Sequence, residues 1–271
     1  MYRTPPSRTG ARSLPATGAR SGNSSHITTA GTCARWSDRV ASPDLPTPPV
    51  DVVTDTDLFP ELMAALGADP AAIAFVERPA GYTFYGPDDP GANVYLLRRG
   101  RVRLSTISPE GRALAMLLLE APSVFGEMSL LEGWRHDNYA VSVTPCLVAT
   151  LRRDTLRRAL HAQPSLALRF MTVMSRRLRA IERKLADIAF RSVPQRLAAA
   201  LLGLWAECRD MPPAVRSTHQ QLAEMIGSHR ETVTKAIGDF RAAGLIRVDE
   251  EAIYLTDLVR LGDLARSGTA A

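Results

Sequence analysis

The sequence predicts an α+β chain in two folded parts, an N-terminal antiparallel β-sandwich of the jelly-roll kind and a C-terminal winged helix-turn-helix, joined by one long helix. Three observations carry this. Beyond Leu66 short apolar stretches alternate with Gly-, Pro- and Asp-rich turns. After Pro164 the apolar period changes from two to about three and a half. Near the C-terminus, two helix-start signals flank Gly227. A chain of 271 residues that is 45% hydrophobic is long enough for two modest cores.

Residues 1–50 are crowded with Ser, Thr, Gly, Pro and Arg and hold no acidic residue before Asp38, so they are expected to form a disordered tail. An organelle transit peptide has the same acid-poor composition, and an over-extended start site would also produce such a run. A short amphipathic helix is expected from Asp57 to Leu66. The turns that follow include Gly81, Gly86 to Gly91, Arg99-Gly100 and Ser108-Pro109-Glu110-Gly111, with strands such as Asn93 to Leu97 and Val102 to Ile107 between them. Regular turns between short strands indicate a jelly roll, which is expected to end near Leu151.

In the long helix, Ala167, Met171, Met174, Leu178, Ile181, Leu185 and Ile188 alternate steps of four and three, the a/d spacing of a coiled-coil seam. Arg176, Arg177, Arg179, Arg183 and Lys184 lie off this seam, which predicts one dry stripe and a charged, solvated remainder. The stripe needs a partner, either its own N-terminal domain or a second copy. The unbroken register favours the second copy.

The segment Ser217 to Arg241 carries the clearest chemistry. Thr218 with Gln221, and Ser228 with Glu231, have the spacing of capping boxes, and Gly227 between them suits a sharp turn. In the second helix Val233, Ala236, Ile237 and Phe240 form an inward stripe, leaving Arg230, Glu231, Thr234 and Lys235 on the other face. Arg can donate two parallel hydrogen bonds to guanine, Glu can accept from the cytosine amino group, and Lys can reach guanine acceptors. A solvated helix surface, with Glu231 capping its own backbone and pairing with Lys235, would carry the same residues. The following segment favours base reading. Gly244-Leu245-Ile246, then Val248, Ile253 and Leu255 around Asp249, Glu250 and Glu251, reads as a winged hairpin. Its acidic tip is expected to stay off phosphate.

The net charge of +5 suits a polyanionic partner but is too small to prove one. Apolar runs such as Ala113 to Leu119 fall short of the roughly 20 residues that span a bilayer. Cys33, Cys146 and Cys208 show no paired spacing and fit a reducing cytoplasm.

With both halves described, the chain resembles the family of the cyclic AMP receptor protein and the fumarate and nitrate reduction regulator, the Crp/Fnr family, over about residues 70 to 260. The resemblance rests on Val124-Phe125-Gly126-Glu127-Met128-Ser129-Leu130-Leu131 and on Ile226-Gly227-Ser228-His229-Arg230-Glu231-Thr232-Val233-Thr234-Lys235. It implies a cytoplasmic transcription regulator with a cyclic-nucleotide-binding-like β-roll sensor at 57–152, a dimerisation helix at 164–190 and a winged helix-turn-helix at 191–268. It further implies a homodimer on pseudo-palindromic double-stranded promoter DNA, with RNA polymerase as a partner. Arg230, Glu231 and Lys235 match base-reading positions, and Thr218, Gln220 and Thr232 match phosphate-binding ones. His219 replaces a frequent Arg. Lys235 replaces one too, losing the planar fork that selects guanine.

The sensor half departs from the pattern. Gly126, Glu127, Met128 and Ser129 match the effector pocket, but Arg135-His136-Asp137 stands where cyclic AMP binders hold the cyclic phosphate with Arg-Ser or Arg-Thr. Ile181-Glu182 stands where a Thr-Ser pair meets the adenine. A carboxylate beside a phosphate costs free energy unless it is protonated or paired. Cyclic AMP is therefore disfavoured as effector. No iron-sulfur cluster is expected, because only Cys33 is available where the family's cluster regulators use several N-terminal cysteines. His136, His161, His219 and His229 lack ligand spacing, so no metal site is expected. Cys146 is expected to pack in the core.

Two other classes are weaker. A cyclic-nucleotide-binding module for a channel or kinase would keep the β-roll without Ser217 to Arg241 as its output. A cupin-like enzyme would need clustered His and carboxylate ligands, and His136 with Asp137 is too sparse. No nucleophile and base pair is visible, so catalysis is not expected.

Overall fold

The computed structural model describes residues 52–67, 73–130, 135–208 and 213–267. The expected tail and Cys33 lie outside these residues.

Two sheets form the N-terminal domain. The first runs in the order β1 (Val52–Val53), β6 (Ala113–Glu120), β5 (Arg101–Ile107), β8 (Tyr139–Ser142) and β3 (Thr83–Tyr85). The second runs β2 (Phe75–Arg78), β9 (Cys146–Arg152), β4 (Asn93–Arg99) and β7 (Ser123–Phe125). All pairings are antiparallel except that of β1 with β6. Gly100 links β4 to β5 at φ +95°, where a Cβ would come within 2.4 Å of the Pro145 carbonyl oxygen, so only glycine fits.

The second sheet is covered on both faces, and the period-two alternation of its strands sorts side chains between two cores. Leu97, Phe125, Cys146 and Val148 meet Val102, Leu104, Leu117, Leu119 and Ala140 between the sheets. From the opposite face Val94, Leu96, Val124 and Ala149 meet Leu58 and Leu62 of α1 (Leu58–Ala65), Leu156 of α2 (Arg153–Ala162), and Leu166 and Val173 of α3 (Pro164–Phe190).

Helix α3 (Pro164–Phe190) starts with proline at N1, where its missing N–H costs nothing. Its buried residues are Leu166, Val173, Arg177, Ala180 and Lys184. This corrects the expectation that Arg177 and Lys184 point to solvent. Each is buried because it has a fixed partner, Arg177 in carboxylates of the roll and Lys184 in the Met225 carbonyl oxygen at 2.7 Å. A second stripe faces outward at seven-residue spacing, with Met171, Leu178 and Leu185 respectively 63%, 58% and 67% exposed. The roll also begins earlier than residue 57, since β1 pairs with β6 and Asp55 is fully buried.

The C-terminal part packs α4 (Val193–Cys208), α5 (His219–Ile226), α6 (Arg230–Ala242) and α7 (Leu258–Ser267) around one core that includes Leu197, Leu201, Leu222, Ile237, Phe240 and Leu261. A small sheet, β10 (Ala214–Val215), β12 (Ile253–Leu255) and β11 (Ile246–Val248), closes one side through Val215, Ile246, Ile253 and Leu255.

Candidate nucleic-acid interface and effector pocket

Helix α5 opens with a complete capping box: Thr218 Oγ1 accepts from the Gln221 N–H at 3.1 Å, and Gln221 Oε1 accepts from the Thr218 N–H at 2.9 Å. It ends at Gly227, which adopts φ +65°. The second expected capping box does not form. The Ser228 N–H instead donates to the Ala223 carbonyl at 2.9 Å and closes the turn, so Ser228 is buried and His229 becomes the N-cap of α6. The inward stripe of α6 is Val233, Ala236, Ile237 and Phe240.

On the opposite face Arg230, Glu231, Thr232, Thr234 and Lys235 are all exposed. Thr234 Oγ1 donates to the Arg230 carbonyl at 2.9 Å and sits 2.9 Å from His219 Nδ1. The single hydroxyl proton is thereby used, so His219 Nδ1 donates and the two helices are tied together at their exposed face. Gln220 Nε2 donates to Glu224 Oε1 at 3.0 Å. In the wing, Asp249 Oδ1 accepts the N–H groups of Glu251 and Ala252, and Oδ2 takes Arg247 at 3.2 Å; these bonds hold its pKa below the usual value.

The β5–β6 hairpin of the roll lies directly against the helix-turn-helix. Arg101 joins Glu120 at 3.0 Å and Glu207 of α4 at 3.2 Å. Burial raises the pKa of Glu207, and the attraction of Arg101 opposes that shift. Arg103 joins Glu224 of α5 at 2.8 Å. At the hairpin's far end Arg112 Nη1 lies 3.2 Å from His229 Nε2, which must accept because guanidinium only donates. None of these arginines stands out in the sequence, since their partners Glu207, Glu224 and His229 are each more than a hundred residues away in the chain.

The residues matched to the effector pocket divide into two groups. Glu127 opens a 3-10 turn, Glu127–Leu130, that also contains Ser129. Glu127 Oε1 takes Arg177 Nη1 at 2.7 Å, while Arg177 Nη2 reaches Asp55 Oδ2 at 2.7 Å and the Val124 carbonyl. Burial opposes the charge on Arg177, yet Glu127 and Asp55 hold its pKa above the ordinary value. His136 is buried and stacks on Tyr85, with ring centroids 3.7 Å apart. Burial pushes its pKa down, against the pull of Asp89 and Asp137, and pushes the Tyr85 hydroxyl up. Phe84, Tyr95 and Phe125 continue the aromatic cluster, and Ile181 packs against it from α3.

The other group does not line this interior. Met128 is 61% exposed, Asp137 and Glu182 face solvent, and Arg135 is exposed and donates to the Asp88 carbonyl. Gly126, at φ +81°, belongs instead with the first group, buried against Tyr95 of the aromatic cluster. Cys146 is buried in β9, where burial raises its thiol pKa.

Comparison with known proteins matches the cyclic nucleotide-binding domain over residues 75–163 and the Crp-like helix-turn-helix domain over residues 195–264. The chain is 31% identical over 212 residues to the CRP-like cAMP-activated global transcriptional regulator of Mycobacterium tuberculosis, covering 74% of this chain and 95% of that protein. It is 36% identical over 205 residues to the global nitrogen regulator of Synechococcus elongatus, covering 72% of this chain and 90% of the relative. A CRP/FNR-family transcriptional regulator from Thermus thermophilus superposes with a TM-score of 0.59 at 31% identity, over 72% of this chain and 99% of that one. A β-roll that carries a nucleotide-pocket motif, a long helix and a winged helix-turn-helix thus occur here in the order these relatives share, and the chain belongs to the Crp/Fnr family of transcription regulators.

Proposed function

We propose that the chain binds a pseudo-palindromic duplex site as a homodimer, with Arg230, Glu231 and Lys235 reading bases and Thr218, His219, Gln220 and Thr232 contacting phosphates. The observation that carries this reading is the exposed polar face of α6, braced against α5 through the Gly227 turn and the His219–Thr234 bond. A two-fold dimer presents two such helices, so half-sites about one helical turn apart are expected. Thr234 lies on the same face with its proton already used, which leaves its oxygen as an acceptor and its methyl for thymine contact. The outward stripe Met171, Leu178 and Leu185 supports pairing of α3 with a second copy. RNA polymerase as partner and a cytoplasmic setting complete this reading, with membership of the family as their support. Among the described residues no helix is long and apolar enough to cross a membrane.

The roll from β1 to β9 is the input domain in this reading, and cyclic AMP is not its effector. Glu127, the acidic residue of the pocket motif, is already held by Arg177, and within Arg135-His136-Asp137, the stretch matched to the phosphate-binding pair, His136 lies stacked on Tyr85 while Arg135 and Asp137 are exposed. The relatives named above differ among themselves, one cAMP-activated and another a nitrogen regulator, so similarity alone assigns no effector. Selection of bound sequences from random duplex DNA, with and without cyclic AMP or cyclic GMP, tests output and input together. Failure to enrich a two-fold motif overturns the DNA reading. A motif enriched only with a cyclic nucleotide, together with saturable micromolar binding by calorimetry, overturns the effector reading.

A further inference from the structure

We propose that Arg103, on strand β5 of the roll, is a positioning residue for DNA binding that acts through Glu224 on Gln220. This rests on the reading of Gln220 as a phosphate contact. The three groups form a chain from the sensor to the first helix of the helix-turn-helix: Arg103 Nη1 to Glu224 Oε2 at 2.8 Å, and Gln220 Nε2 to Glu224 Oε1 at 3.0 Å. Glu224 uses one carboxylate oxygen for each partner. Its side chain is 16% exposed and that of Arg103 31% exposed, so the pair is shielded from full solvent screening.

A side-chain amide has two N–H donors. Glu224 takes one of those of Gln220, which fixes the amide plane and leaves the second for a phosphate oxygen. The same arrangement puts a carboxylate one helical turn from the polyanion, and that carboxylate repels DNA unless a cation neutralises it. Arg103 supplies the cation from a different domain. The guanidinium therefore has two effects on one contact, holding Glu224 in place for Gln220 and cancelling its charge. Because Arg103 sits in the middle of β5, between β6 and β8, a displacement of this sheet moves the ion pair and alters the phosphate contact. This gives the roll a direct route to the DNA-facing surface that does not pass through α3.

The test is a double-mutant cycle on the full-length protein, measured by fluorescence anisotropy with its selected site at fixed salt. Arg103→Ala and Gln220→Ala are each expected to weaken binding roughly tenfold, since a dimer loses two phosphate hydrogen bonds of modest net worth. Together they should weaken it by clearly less than the product of the two single losses, and Arg103→Lys should restore most of the affinity. Thermal unfolding of Arg103→Ala should match wild type, because part-exposed ion pairs add little stability. Losses that multiply in the double mutant overturn the link while leaving Gln220 a phosphate contact. A silent Gln220→Ala variant overturns the assignment of Gln220, and the link with it.

Discussion

Replacing Arg177 by methionine isolates the strongest electrostatic element of the roll. The substitution keeps most of the side-chain volume and removes the guanidinium, leaving Asp55 and Glu127 as buried carboxylates without a cation. Arg177 donates to Glu127, Asp55 and the Val124 carbonyl. At roughly 1.5 kcal/mol for each of these charge-assisted bonds, their loss amounts to about 4 to 5 kcal/mol. That falls in the range of roughly 3 to 5 kcal/mol found when one partner of a buried ion pair is deleted. Asp55 keeps hydrogen bonds from Ser123 Oγ and the Val124 N–H, whereas Glu127 keeps neither, so the damage should centre on the 3-10 turn at Glu127. Urea unfolding followed by circular dichroism, at one protein concentration so that any self-association is held constant, reads the cost directly. The neutral triple variant Asp55→Asn, Glu127→Gln, Arg177→Met should recover most of the loss, since the penalty belongs to the stranded charges. A cost below about 1 kcal/mol in the single variant, or no recovery in the triple, refutes the reasoning.

Three other outcomes are expected. Arg230→Ala should cost roughly 1 to 3 kcal/mol on the preferred DNA site and relax discrimination at one base pair, while an equal loss on every sequence would confine Arg230 to phosphate. Leu178→Asp with Leu185→Asp should give monomers by sedimentation equilibrium, since both side chains are exposed in the single chain and charge is costly at a dry interface; a persistent dimer would place the interface elsewhere. His136→Phe should flatten the pH dependence of stability below about 6.5 while keeping the stack on Tyr85. Burial lowers the folded-state pKa of His136, so below 6.5 the unfolded chain binds more protons and stability falls as pH falls. Urea midpoints at pH 7.5 and 5.5 that shift equally in both proteins would remove His136 from this role.

The elements were legible where a single periodicity governed them. Helix α6 hides Val233, Ala236, Ile237 and Phe240, as its pattern indicates, because one face meets one core. Helix α3 is harder to read because two stripes compete along it. One carries Met171, Leu178 and Leu185 outward, and the other carries Leu166, Val173, Arg177, Ala180 and Lys184 into the protein. A helical wheel assigns cations to solvent, and only the distant Asp55, Glu127 and Met225 reveal that two of them are interior. The start of α6 departs from its sequence signal for a local reason: Ser228 and Glu231 have capping-box spacing, but the Ser228 N–H is already engaged in closing α5. Four of the residues matched to the pocket by the motif, Met128, Arg135, Asp137 and Glu182, are exposed in the single chain, and spacing does not encode such a direction.

The turn at Gly227 has a bearing on protein engineering. A Cβ there would approach Leu114 Cδ1 at 3.1 Å and Ile188 Cδ1 at 3.2 Å, so this bend of the helix-turn-helix fits into a socket formed by β6 and α3. Crp/Fnr proteins invite chimeras in which the reading head of one is grafted onto the sensor of another. In this chain such a cut would separate a glycine from the two aliphatic side chains that contact it. A donor head with a bulkier turn would be held away from the roll, and sensor and head would then behave as two tethered bodies. A working graft would therefore carry Leu114 and Ile188 with the head as one cassette, although the sequence places them 113 and 39 residues before the glycine.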